Sequence, residues 1–181
     1  MLCINTKGLS LTTVTVDDGT PLRQVNSVRL LGVTLSSDLK WDVHVNLAIK
    51  KASKRIFVLR NLRKSNCPSA LIYKAYTSLV RSVLLYAFPS FCNLPYRLFA
   101  RLVRLERRCF RIIGNSNFTT ISTAGNSMCT NLFRQIEQCS DHPLRELFDC
   151  RATRITRNHR QLRPPRARST RLSNSFIRFS I

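Results

Sequence analysis

The chain has 181 residues, of which 30 are Lys or Arg and 9 are Asp or Glu, giving a formal net charge of +21 alongside a 44% hydrophobic content. That much apolar material supports one or two small domains and excludes a chain that is disordered throughout. So large an excess of one sign repels itself in a compact state unless an anion is near; nucleic acid is the first partner to consider, an acidic membrane surface the second, and an enzyme acting alone on small molecules is disfavoured.

Residues 1–38 read as a β-hairpin. Leu9 to Val16 is β-branched and partly alternating, Asp17-Asp18-Gly19 is a turn signal, and Val25 to Leu35 resumes the alternation. Gly32, inside the second predicted strand, marks a bulge or a close approach by another backbone. Asp17 and Asp18 are the residue types of a two-metal site, but the glycine behind them makes a hairpin turn the better reading, and no catalytic residue is assigned.

Residues 39–114 read as helices. From Asp38 on, with Ser36, Ser37 and Asp38 as polar caps, Val45, Ala48, Ile49, Ala52, Ile56, Leu59 and Leu62 recur at spacings of three and four, while Lys50, Lys51, Lys54, Arg55 and Lys64 mostly fall elsewhere. A second helix opens at Cys67-Pro68 and continues through Leu71, Ile72, Ala75, Tyr76, Leu79, Val80, Val83 and Leu84 until Pro89; its wide apolar face predicts the most buried position. Asn93 and Pro95 then open a third helix that Gly114 closes.

The third helix carries the clearest pattern. Leu98, Leu102, Leu105, Cys109 and Ile112 form one stripe, and Arg97, Arg101, Arg104, Arg108 and Arg111 take the same steps one residue earlier, so burying the leucines lines guanidinium groups along the edge of the core. Glu106 is the local counter-charge, and aligned Arg at such spacings cost a few tenths of a kcal/mol per pair until a polyanion offsets them. Residues 41–111 hold fifteen basic side chains against two acidic, a net of +13. These residues suit phosphate, which accepts the planar fork of Arg and the point charge of Lys with a salt-sensitive gain in affinity. The bland alternative is a solvated helix face.

Residues 115–150 read as a linker, Asn115 to Thr130, followed by a short helical segment; residues 151–181 carry nine Arg and no acid, with Arg151, Arg154, Arg157, Arg160, Arg163 and Arg166 at intervals of three. Too few apolar residues accompany them for a core, so this tail reads as an arm that orders on binding, or as a solubilising or targeting tail. The seven cysteines are odd in number and scattered, which reads as reduced thiols in an intracellular protein, nuclear or cytoplasmic and not secreted. Cys129, Cys139, His142 and Cys150 have the types for zinc, with Cys139-x-x-His142 as a half-site, although nine residues separate Cys129 from Cys139 where a structural knuckle has two to four. The apolar window Ala70 to Cys92 is interrupted by Lys74 and Arg81, so no membrane span is expected. The fold class that follows is mainly α with an N-terminal β-hairpin (α+β): a three-helix bundle followed by a poorly ordered basic tail.

The order of the pieces adds a family resemblance. Val28 to Leu35 (VRLLGVTL), then Trp41-x-x-His44, then the basic helix Ile49 to Leu62 are similar to a stretch of the reverse transcriptases of non-LTR (LINE-type) retrotransposons. The likeness continues in Leu71 to Tyr76 (LIYKAY), Val80 to Ala87 (VRSVLLYA) and Leu102 to Gly114 (LVRLERRCFRIIG), and more loosely in His142-Pro143-Leu144. It implies that Leu31, Gly32 and Val33 belong to a primer grip, that residues 39–114 form a thumb, and that Lys50, Lys51, Lys54, Arg55, Arg97, Arg101, Arg104, Arg108 and Arg111 contact phosphates of an RNA or RNA–DNA duplex. It also implies that the aspartate pair holding the family's Mg ions lies upstream of Met1. This chain would then be a fragment of an RNA-directed DNA polymerase, unable to polymerise by itself, whose other partners are the missing palm and fingers. Two alternatives from other classes stand beside it: a separate basic RNA- or chromatin-binding protein, and a zinc-stapled interaction module.

Overall fold

A computed structural model describes residues 15, 18–19, 21, 24–92, 94–114 and 118–147; the Arg-rich tail, Cys150 and nearly all of the predicted Leu9 to Val16 strand lie outside them. The structure is mainly helical with an N-terminal two-stranded antiparallel hairpin. The chain divides into two compact units, residues 1–51 and 52–181, and the division falls within one helix.

In the first unit, β1 (Ser27–Leu30) pairs with β2 (Val33–Ser36) in the register Ser27 with Ser36 and Leu30 with Val33. The segment expected as one strand therefore doubles back on itself. Leu31 and Gly32 are its two-residue turn, both at positive φ (45° and 84°), the requirement of a type I′ hairpin turn whose twist matches that of the strands. Gly32 is thus a turn glycine and not a bulge. Asp18 and Gly19, with φ of 79° at Gly19, occupy a separate turn spanned by an isolated bridge between Thr15 and Pro21.

Both strands lead to α1 (Asp42–Lys64). The predicted caps do other work: Asp38 accepts hydrogen bonds from the Ser36 hydroxyl and from the Lys40 amide (3.0 Å) and pairs with the Lys40 ammonium (3.1 Å). These bonds, the Ser36 hydroxyl first, hold its carboxyl well below the usual carboxylate range. Five residues, Ser37 to Trp41, separate β2 from the helix as a result. His44, buried in the first turn of α1, receives the Thr34 amide on Nδ1 at 3.3 Å and sits edge-on to Trp41 at 6.1 Å. A nitrogen that accepts must be unprotonated, and burial lowers the His44 pKa in the same sense.

In the second unit, the rest of α1 buries Ala52, Ile56 and Leu59. α2 (Ser69–Ala75) begins one residue after Pro68 and continues as a π-helical segment, Tyr76–Arg81, into α3 (Ser82–Leu84). The cause of the widened turn is local. Thr77 and Ser78 donate their hydroxyls to the Lys74 carbonyl at 2.8 and 3.0 Å, and Ser82 donates to Ser78, so side chains compete with amides for the helix ladder. Ile72, Tyr76, Val80 and Leu84 still face inward, as the predicted central helix requires.

A 3₁₀ turn, Phe88–Phe91, connects to α4 (Tyr96–Ile113), which ends at Gly114 in the left-handed conformation with φ of 78°. The predicted linker then proves to contain α5 (Ile121–Gln138), which packs against the Phe88–Phe91 turn and α4. Its Ser, Thr and Asn face outward while Ile121, Gly125, Cys129 and Ile136 turn inward, and the Thr120 hydroxyl caps its start by accepting from the Thr123 amide at 3.2 Å. A final 3₁₀ turn spans Arg145–Leu147.

Two substitutions test this architecture. Leu31→Asn should stabilise the hairpin unit by roughly 0.5–1 kcal/mol, because Asn occupies the left-handed region more readily than Leu; urea unfolding measures it. A Cβ at Gly125 would stand 2.6 Å from Cε1 of buried Phe88. Gly125→Ala should therefore cost about 1–3 kcal/mol and lower Tm by several degrees.

Candidate nucleic-acid interface

α4 separates two kinds of side chain. Leu98, Leu102, Leu105, Cys109 and Ile113 are buried. The predicted stripe ended on Ile112, which is only half-buried. A four-three pattern averages 3.5 residues against 3.6 per helical turn, so the stripe drifts by ~20° per heptad and the last inward position passes to Ile113.

Along the edge of this stripe and round to the outer side, Arg97, Arg104, Arg108 and Arg111 are exposed and Arg101 is half-buried. Arg107, omitted from the predicted row, is exposed with them. At ~100° per residue it falls between Tyr96 and Arg111 on the outer face, a position legible from the helical wheel. Among the described residues, Arg104, Arg107, Arg108 and Arg111 pair with no carboxylate. Arg97 and Arg111 stand fourteen residues apart, about 21 Å of helix at 1.5 Å per residue.

Glu106 does not serve as their counter-charge. It is 4% exposed, and its Oε1 accepts the Tyr76 hydroxyl at 3.1 Å and the Ile121 amide at 2.6 Å. Burial raises its pKa, against a downward pull from the Ile121 amide, the Tyr76 hydroxyl and Arg81. Burial, helped by the adjoining carboxylate, likewise pushes the Tyr76 hydroxyl far above the usual phenol range, so it remains a donor. One carboxylate thereby ties the π segment, α4 and the first residue of α5 together.

Arg81 belongs to the same region. Its guanidinium donates to the Tyr73 hydroxyl and the Thr119 carbonyl (3.1 Å) and lies over the Tyr73 and Tyr76 rings at 5.4 and 5.5 Å. Phe118 stacks on Tyr73 at 3.9 Å between ring centres. This arginine is an internal bracket, occupied by protein acceptors and aromatic faces.

The basic residues of α1 divide between the units. Lys50 and Lys51 are exposed in the first; Lys54 is exposed in the second. Arg55 is half-buried and donates to the Leu79 carbonyl at 2.7 Å, a contact to the π segment that composition could not foretell. Leu31 and Gly32, assigned to a grip strand, form the hairpin turn, Val33 starts β2, and Leu31 is 85% exposed.

The zinc set is not brought together. Cys129 faces the core beside Cys92, and burial with that neighbour pushes its thiol up to about 12, which disfavours the thiolate a metal needs. Cys139 is exposed at the end of α5, ten residues on and hence about 15 Å along the axis. His142 uses Nδ1 to accept the Leu144 amide at 3.1 Å, and Cys150 lies outside the described residues. Among the described residues, no group of three His, Cys, Asp or Glu is placed to hold a metal ion, and no helix is long and apolar enough to cross a membrane. Sequence reasoning also missed Arg145, whose guanidinium closes α5 by donating to the carbonyls of Ile136, Glu137 and Cys139 at 3.3, 2.8 and 3.2 Å.

Comparison of the chain with protein-family models, curated proteins and solved structures found no match.

The position of Glu106 gives a pH dependence. A carboxyl whose folded pKa exceeds its ordinary 4.5 contributes its full stability below that value and loses it as pH rises through the folded value. Glu106→Gln keeps an acceptor for Tyr76 and Ile121 and should gain stability relative to the parent as pH rises from 4.5 to 7. Glu106→Leu orphans both donors and should cost roughly 2–4 kcal/mol near pH 4.5, a deficit that narrows as pH rises and the parent loses stability. Urea midpoints of the three proteins across that range measure both effects.

Proposed function

We propose that this chain holds nucleic acid through its phosphates, without regard to base sequence, and that it is a segment of a retrotransposon-type RNA-directed DNA polymerase corresponding to the primer grip, thumb and basic extension. The observation that carries the reading is the set of exposed, carboxylate-free guanidinium groups of Arg104, Arg107, Arg108 and Arg111 on one side of a helix whose other side is buried. Solvated faces ordinarily mix both signs; this one does not.

The partner is an RNA-containing duplex. Guanidinium groups three and four residues apart repeat every ~4.5–6 Å along the helix, which suits successive phosphates of one strand, and nothing in the row distinguishes one base from another. Lys50, Lys51 and Lys54 supply further exposed cations, while Arg55 and Arg81 are engaged within the protein. The reading gives these residues no part in nucleotidyl transfer. That step needs two metal ions held by palm aspartates, which the family resemblance puts outside this sequence.

Fluorescence anisotropy with an RNA–DNA hybrid tests the proposal. Four neutralised phosphates predict a fall in affinity of about a hundredfold between 50 and 200 mM salt. Replacing Arg104, Arg108 and Arg111 together by Gln should flatten the log–log salt slope by about three and weaken all sequences alike, with far-ultraviolet circular dichroism unchanged. A parent slope near zero, or a triple variant that binds as the parent does, assigns the row to solvent.

A further inference from the structure

Tyr96, the first residue of α4, is 87% exposed, more than any other large apolar or aromatic side chain among the described residues. Helical side chains lean toward the N-terminus and rest on the preceding turn. Tyr96 has no preceding turn to rest on, since Pro95 is extended (φ −52°, ψ 140°), and its neighbour four residues on is the short Ala100. Among the described residues, the ring is left largely uncovered at the head of the arginine face. At ~100° per residue it leaves α4 from the same outer half as Arg104, Arg107 and Arg111, all exposed.

An aromatic face beside a row of cations is the combination that binds unpaired nucleotides: the cations follow the phosphates, and the ring stacks on whichever base arrives, because every base has a π face. The spacing agrees. Tyr96 and Arg104 are eight residues apart, about 12 Å along the axis, room for two to three nucleotides at the ~4.5–6 Å repeat of the arginine row.

We infer that Tyr96 is a stacking platform for an unpaired base, so that the ligand of α4 is a duplex with a single-stranded extension: the strand whose phosphates lie on Arg104 and Arg108 continues beyond the duplex end, and a base two to three nucleotides further on stacks on the tyrosine ring. The inference rests on the phosphate-holding reading of α4. Charge complementarity selects this occupant, since an apolar protein segment would bring no anions to the surrounding guanidinium groups.

The experiment uses the full chain and RNA–DNA hybrids that are either blunt or extended by four unpaired nucleotides, on the 3′ or the 5′ side, with 2-aminopurine near the end of the extension. One polarity of extension should bind about fivefold or more tightly than the blunt hybrid, with quenched 2-aminopurine fluorescence. Tyr96→Ala should abolish both the gain and the quenching, Tyr96→Phe should retain them, and the salt slope should be the same in both variants, because the ring neutralises no phosphate. Blunt and extended hybrids that bind equally, or a gain that survives Tyr96→Ala, overturn the stacking platform and leave the phosphate reading intact. Failure of every hybrid to bind overturns both.

Discussion

Burial of the Glu106 carboxylate is the interaction on which the second unit is built. A charged group lies inside the protein only if its oxygens are satisfied, and here one oxygen takes a hydroxyl from the π segment and an amide from the start of α5. Both donors come from elements separated from α4 in sequence, so their positions are mutually fixed. Arg81 reinforces the arrangement from the other side, clamped between two tyrosine rings and the Thr119 carbonyl.

The consequence for charge is that the acid in the middle of the basic helix is withdrawn from it. Glu106 occupies the flank of the apolar stripe, and Arg104, Arg107, Arg108 and Arg111 pair with no carboxylate among the described residues. Repulsion among them is tolerable because the helix is held by what it buries rather than by its own propensity. The fold thus carries a concentrated positive surface, and a polyanion would relieve it.

Much of this was legible beforehand, for definite reasons. The limits of α4 followed from Pro95 and Gly114, and its two faces from spacing alone, since rotation per residue is a property of any α-helix. α5 was obscured by its outward Ser, Thr and Asn, although Ile121, Gly125, Cys129 and Ile136 sit at helical intervals beneath them. The turn at Asp18 and Gly19 was legible from its residues, but the second turn, inside Val25 to Leu35, was not, because Leu31 is an unusual residue for positive φ; an Asn there would announce it. Arg55, Arg81 and Arg145 show a different limit. Composition counts every arginine as available, but each of these three donates to at least one carbonyl of the protein, and only tertiary structure separates them from the exposed ones.

The two faces of α4 also differ in how they would age. No contact among the described residues requires the charge of Arg104, Arg107, Arg108 or Arg111, so chance replacement there leaves the folded chain intact, whereas replacement of Leu98, Leu102 or Cys109 opens a cavity. A lineage in which nothing selects for the row would therefore lose its arginines long before its leucines. In such a protein the charge, unlike the core, persists only as long as something outside the fold selects for it.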